Sequence, residues 1–250
     1  MKTLTSLAAA LALALPAMTV QAQEVAGVRF GMSIAEAKKA VLAFNKDLEI
    51  TPLIDDNKTE VGFSAAMTRE VDEDYERVQV FKGGAKGVYF VNRIRKLPPK
   101  EAFSPKLLED GLLKKYGKAS VTDKYAMLWQ FGRDGRLYPG STSWQYFGGH
   151  TGKTPCAELG YENWNHEGGM RLGEFNNLDF RIPKNANSTC KAVYHAGAPH
   201  EANGLVRYFY ETIADYATLY DFLVEKETRE KAEQDRQRQQ QLDKGLKPKL

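Results

Sequence analysis

Between Leu48 and Lys96 the apolar residues fall into four blocks separated by polar turns, a pattern that leaves little room for anything but a sheet. The first block, residues 48–54, ends at Asp55-Asp56-Asn57. Val61, Phe63, Ala65 and Met67 alternate in the second, and Val78 and Val80 in the third. Period-two alternation turns one side of a strand towards a core and the other towards water. The fourth block, 87–96, is nearly continuous in Val, Tyr, Phe and Ile, as a central strand would be, and Pro98-Pro99 ends it. Lys82-Gly83-Gly84-Ala85-Lys86-Gly87, between the third and fourth blocks, lacks the spacing of a phosphate loop and reads as a hairpin turn.

Two helices frame further strands. Ser33-Ile34-Ala35-Glu36 is a capping box, and Ile34, Ala37, Val41 and Phe44 give one apolar face to a helix over 34–45. Ser104 caps the second helix, Pro105 takes its first position and Gly117 closes it after Tyr116, with Leu107, Leu108, Leu112 and Leu113 as the expected buried face. Met127, Trp129 and Phe131 alternate in a strand over 125–131 that leads to the Asp134-Gly135 turn. Further strands are expected at 143–147, 177–182, 190–195 and 205–214. The order helix, strands, helix, strands defines an α+β body over 23–215, which allows two similar halves, 28–98 and 103–215.

From Tyr216 the pattern changes again. Leu219, Phe222 and Leu223 form a face that can dock on the body, while 225–244 is packed with Glu, Lys, Arg, Asp and Gln. Ala232 and Leu242 do not build a coiled-coil seam. The segment 216–250 is therefore a C-terminal helix and charged tail, either solvated and fraying or an arm for a partner.

The beginning of the chain reads as a signal peptide over 1–22. Lys2 gives a positive start, Leu7 to Leu15 an unbroken Leu/Ala-type run, and Val20-Gln21-Ala22 the small residues of a cleavage site. A helix that spans the hydrocarbon core needs about 20 apolar residues, more than this run supplies. The expectation is an exported, bacterial, periplasmic or secreted protein that is not integral to a membrane. Asn57-Lys58-Thr59 and Asn187-Ser188-Thr189, glycan acceptors in a eukaryote, are then ordinary turns.

Loss of Lys2 with the leader would lower the formal net charge of +3 by one, too small a surplus to argue for nucleic acid. Cys156 and Cys190 are the two cysteines of the chain, and in an oxidising compartment a disulfide is the simplest reading. Such a link would stabilise the fold by roughly 3–4 kcal/mol. His150 before Cys156 and His195 after Cys190 leave a zinc site as an alternative, with wider spacing than the usual knuckles, and a pair of free thiols is the third reading. No cofactor is called for.

The segment Val28-Arg29-Phe30-Gly31-Met32-Ser33, running into a helix, resembles the Gly-Met-Ser/Thr helix start of small envelope proteins. These include the SmpA/OmlA-like outer-membrane assembly lipoproteins and proteins of the β-lactamase-inhibitor-like fold. Tyr116-Gly117-Lys118 resembles the segment that closes a helix in such domains. The resemblance implies helix-plus-antiparallel-sheet units used for protein contacts. It departs from the lipoproteins in length and in lacking their lipidated cysteine, which places the chain nearer to uncharacterised exported proteobacterial proteins with this start.

Motifs for catalysis are sparse. Gly140-Ser141-Thr142-Ser143 lacks the second glycine of a nucleophile elbow. His166-Glu167-Gly168-Gly169 begins like a zinc-protease motif but has no second His. Asp72, Glu73 and Asp74 read as a solvated turn. The region to search is 138–175, where Tyr138, Trp144, Tyr146, Phe147, Tyr161 and Trp164 lie among glycines, with His150, Glu162, His166 and Glu167 nearby. Such rings either stack on a glycan or peptide or pack over the sheet. The leading expectation is a non-enzymatic module that binds an envelope protein. The alternatives are a glycan- or peptide-binding module using Trp144, Tyr146, Phe147, Tyr161, Trp164 and His166, or a hydrolase using His166 and Glu167.

Overall fold

The structure, a computed structural model, describes residues 24–54, 58–67, 74–122, 126–138, 190–198 and 203–245. The segment 1–22 read as a signal peptide, the expected strands at 143–147 and 177–182 and most of the aromatic region lie outside them. The chain is an α+β molecule, mostly sheet.

A two-strand ribbon, β1 (Glu24–Val25) and β2 (Val28–Arg29), precedes α1 (Ile34–Phe44). Four strands follow: β3 (Leu48–Ile54), β4 (Glu60–Met67), β5 (Tyr75–Lys82) and β6 (Val88–Lys96). The second half contributes α2 (Pro105–Tyr116), β7 (Val121–Thr122), β8 (Ala126–Gly132), β10 (Cys190–Gly197) and β11 (Tyr208–Asp215) among its described residues; β9 (Leu137–Tyr138) is a short partner of β8. All pair antiparallel in one sheet of order β3-β4-β5-β6-β11-β10-β8-β7. The last strands of the two halves, β6 and β11, therefore meet in the middle, with Asn92 opposite Thr212. α3 (Tyr216–Gly245) leaves from the end of β11.

One face of the sheet is covered by α1, α2 and the ribbon. Ala37 and Val41 of α1, Leu112 and Tyr116 of α2, and Val25 and Val28 of the ribbon join Phe63, Val78, Val91, Trp129, Tyr194 and Ile213 in one core. Each fully buried side chain of this size contributes roughly 1.5–3 kcal/mol. Tyr116, Trp129 and Tyr194 pack ring on ring, with centroids 4.1–5.5 Å apart, and the Trp129 indole N–H donates to the Gly117 carbonyl at 3.1 Å. On the opposite face Phe81, Tyr89, Phe90, Leu128, Val193 and Ala214 meet Leu219 and Phe222 from the first turns of α3.

Local signals place the helices as expected. Ser33 Oγ accepts from the Glu36 amide at 3.2 Å while Glu36 accepts from the Ser33 amide at 2.8 Å. That holds the Glu36 carboxyl below its ordinary range, chiefly through the backbone bond. Gly31, at φ +79°, donates to the Val88 carbonyl at 2.8 Å, and the Val88 amide donates to Met32 at 2.8 Å. The Gly-Met-Ser segment thus docks α1 on the start of β6.

Two expected core residues are outside it. Phe44 is 43 % exposed and Leu107 64 % exposed. Both belong to the apolar faces of their helices, but α1 and α2 meet the sheet on a narrower stripe, through Ala37 and Val41 and through Leu112 and Tyr116. α1 stops at Phe44, with Asn45 as cap, and β11 starts at Tyr208, because Val206 is taken up by a bridge to Phe103. Asp74 is not a solvated turn residue: its carboxylate pairs with the Arg95 guanidinium.

Candidate interaction surface

Of the residues expected to form a site, Trp144, Tyr146, Phe147, Cys156, Tyr161, Trp164 and His166, with His150, Glu162 and Glu167, lie outside the described residues. Tyr138 ends β9. Cys190 opens β10 at 2 % exposure, and none of the described cysteines is a free thiol. His195 is buried on β10 with its Nε2 3.2 Å from the Tyr210 hydroxyl; burial holds its imidazole down to about 3. Among the described residues no group of three His, Cys, Asp or Glu side chains is placed to hold a metal ion.

A different constellation stands on the helix-covered face. Arg93 stands two residues after the apolar run of β6 and points to the same side as Val91. Its Nε donates to Glu76 on β5 at 2.7 Å and its Nη1 to Glu211 on β11 at 2.8 Å. Glu76 also accepts from the Asn45 carboxamide at the end of α1, at 2.7 Å, and Glu211 accepts from the Tyr194 hydroxyl at 2.7 Å. Burial first, and the charge of Glu211 second, push the Tyr194 phenol well above its ordinary range, so Tyr194 remains a donor. The network crosses the β6–β11 seam and ties both halves together. Its side chains are largely withdrawn from water, at 16 % exposure for Arg93, 4 % for Glu76 and 15 % for Glu211.

The guanidinium also lies against two rings. It lies 4.7 Å from the Phe44 centroid and 5.2 Å from that of Phe209, and Phe209 meets Phe103 edge-on at 6.1 Å. The result is a row of ring, cation, ring, ring. Phe44 stands 43 % exposed at one end, and Leu205 stands 37 % exposed beside the Phe103–Val206 bridge at the other.

Chemically this arrangement favours contact over catalysis. Both carboxylates and the guanidinium already have partners, so none is poised as a free base or acid. What remains open to solvent is aromatic surface on a fixed cation, the composition that dominates the energetic centres of protein interfaces. Sequence reading missed it because its members come from α1, β5, β6, α2's leading loop, β10 and β11. The available signal was Arg93, a charge two residues after the apolar run Val88–Val91 and on the side of the strand that Val91 buries.

In class, then, the molecule is an α+β protein built on one antiparallel sheet, with a half-open aromatic–arginine surface where its halves join. No protein-family model matches the chain, and no curated protein or solved structure matches it.

Proposed function

We propose that the chain is an exported bacterial envelope protein that works by binding another envelope protein, and that the Phe44–Arg93–Phe209 surface is the contact. The observation that carries this reading is the half-exposed Phe44 ring on a guanidinium already locked by Glu76 and Glu211. An anchor locked before binding loses little conformational freedom on association. A partner side chain that is flat and apolar would extend the row of rings. The Gly31-Met32-Ser33 resemblance to envelope proteins used for protein contacts supports the same reading. No described helix is long and apolar enough to cross a membrane.

The test is photo-crosslinking in intact cells from a reactive residue substituted at Leu205, beside the rings. A discrete protein adduct is expected, and Phe44→Glu should abolish it while the chain still unfolds in one cooperative thermal transition. An adduct that survives Phe44→Glu, or no adduct, would refute the contact. Export carries its own expectation, a Cys156–Cys190 disulfide in a chain cleaved after Ala22. Intact mass before and after reductive alkylation reads both: a product retaining residues 1–22, with two thiols alkylated without reductant, would overturn it.

A further inference from the structure

We propose that Asn203 is a site of spontaneous covalent modification, at which the Asn203–Gly204 linkage rearranges through a cyclic imide to aspartate and isoaspartate in the folded protein. Asn203 and Gly204 are exposed, and Gly204 sits at φ +77° with no described residue within 4 Å of where a Cβ would stand. As a glycine it carries no side chain to crowd the approach of its backbone nitrogen to the preceding side chain. Among the described residues no backbone carbonyl accepts from the Gly204 amide. The Asn203 carboxamide is oriented by its own bond: its Oδ1 accepts from the Leu205 amide at 2.9 Å. That donor also stabilises the negative charge that develops on Oδ1 when the carbonyl carbon is attacked.

Base removes the Gly204 amide proton and the nitrogen attacks Cγ of Asn203. The new C–N bond closes a five-membered imide, the Cγ–Nδ2 bond breaks, and ammonia leaves with the proton returned to it. Water then opens the ring. Opening at one carbonyl gives aspartate; opening at the other routes the main chain through the β-carbon and gives isoaspartate. Water is consumed, ammonia is released and nothing is oxidised or reduced.

The same geometry excludes the neighbours. Asp134-Gly135 has a similar turn, with Asp134 Oδ1 accepting from Arg136 at 3.0 Å, but its Gly135 amide is tied to the Gly132 carbonyl at 2.9 Å. Asn45 donates its carboxamide to Glu76 and precedes a lysine, and Asn92 is buried in β6 with Oδ1 accepting from Thr212 at 2.9 Å. Modification at Asn203 adds a negative charge two residues before Leu205, and the isoaspartyl form lengthens the main chain just ahead of the Val206 bridge to Phe103.

The test is peptide mapping of the purified full chain held at mildly alkaline pH. The peptide containing Asn203 should gain the mass of an amide-to-acid conversion before those of Asn45 and Asn92, with methyl-acceptor labelling marking isoaspartate. Asn203→Gln should abolish the conversion, and Gly204→Ala should slow it on the order of tenfold by obstructing the attack. The proposal is overturned by equal rates in Gly204→Ala and the parent chain. It is also overturned if the folded chain converts more slowly than the same sequence as a free peptide, which would show that the turn protects. These readouts concern the covalent change alone and stand whether or not the Phe44 surface binds a partner.

Discussion

Without the Arg93 guanidinium, Glu76 and Glu211 would face a half-buried space with no compensating charge. Breaking a buried pair by deleting one partner costs about 3–5 kcal/mol, far more than the pair is worth against a well-packed apolar replacement. Arg93→Ala should lower stability by that amount in chemical denaturation, whereas Arg93→Ala combined with Glu76→Gln and Glu211→Gln should recover most of the loss. A cost no larger than that of a surface substitution would show the network to be solvated. His195 sets a pH dependence with a definite sign. The unfolded imidazole takes up a proton near 6.5, but the folded one resists protonation down to about 3 because it is buried against Leu128, Thr212 and Tyr210. The unfolded state therefore binds more protons throughout that window. Stability is full above pH 6.5 and falls as pH drops towards 3, by at most about 5 kcal/mol. His195→Phe should flatten the His195 part of that acid limb; an unchanged profile would place the sensitivity elsewhere. Neither residue's role was legible in the sequence. Arg93 is visible there as a charge just past an apolar run, but its partners lie 17 and 118 residues away.

Helices and turns tell a different story, because their instructions are local. The Ser33–Glu36 box and the Ser104-Pro105 start require only neighbours within one turn, and both caps form. The widths of the buried stripes are not local. Phe44 and Leu107 carry apolar side chains on the right arc, but how far a sheet wraps a helix depends on strands elsewhere. The Gly83–Gly87 hairpin shows a local signal sharpened by packing. Gly87, at φ +79°, would bring a Cβ within 2.5 Å of the Gly31 carbonyl oxygen and 2.7 Å of that of Met32. Gly87→Ala should therefore cost the roughly 1–3 kcal/mol of a left-handed non-glycine residue plus the displacement of the α1 entry. Thermal unfolding would read it. Gly135→Ala has a comparable φ but open space around it, and should lose only the backbone part.

For the molecule as a whole, α3 separates into a docked base and a free arm. Asp215 caps it, accepting from the Thr218 amide at 2.9 Å. Lys86 reaches Asp221 and Glu225 at 3.5 and 3.1 Å, and Phe222 lies over Gly84. Beyond Val224 the described side chains are exposed, over a helix that projects roughly 30 Å. Ending the chain after Lys226 should leave the unfolding transition of the body within experimental error; a clear loss of stability would mean that the arm packs on it. The α+β class was legible from the order of helices and strands. The path of the sheet was not, since nothing in a strand's own sequence says that β6 will pair with β11.

That pairing has a consequence for how the chain comes together. β6 is a largely buried strand, and one of its edges stays unsatisfied until residues 208–215 arrive to cover it. A nascent polypeptide would expose that ready template for intermolecular pairing while more than a hundred further residues emerge. Closure of the molecule is thus a late, long-range event. Fragments that end between α2 and β10 should self-associate rather than fold as monomers.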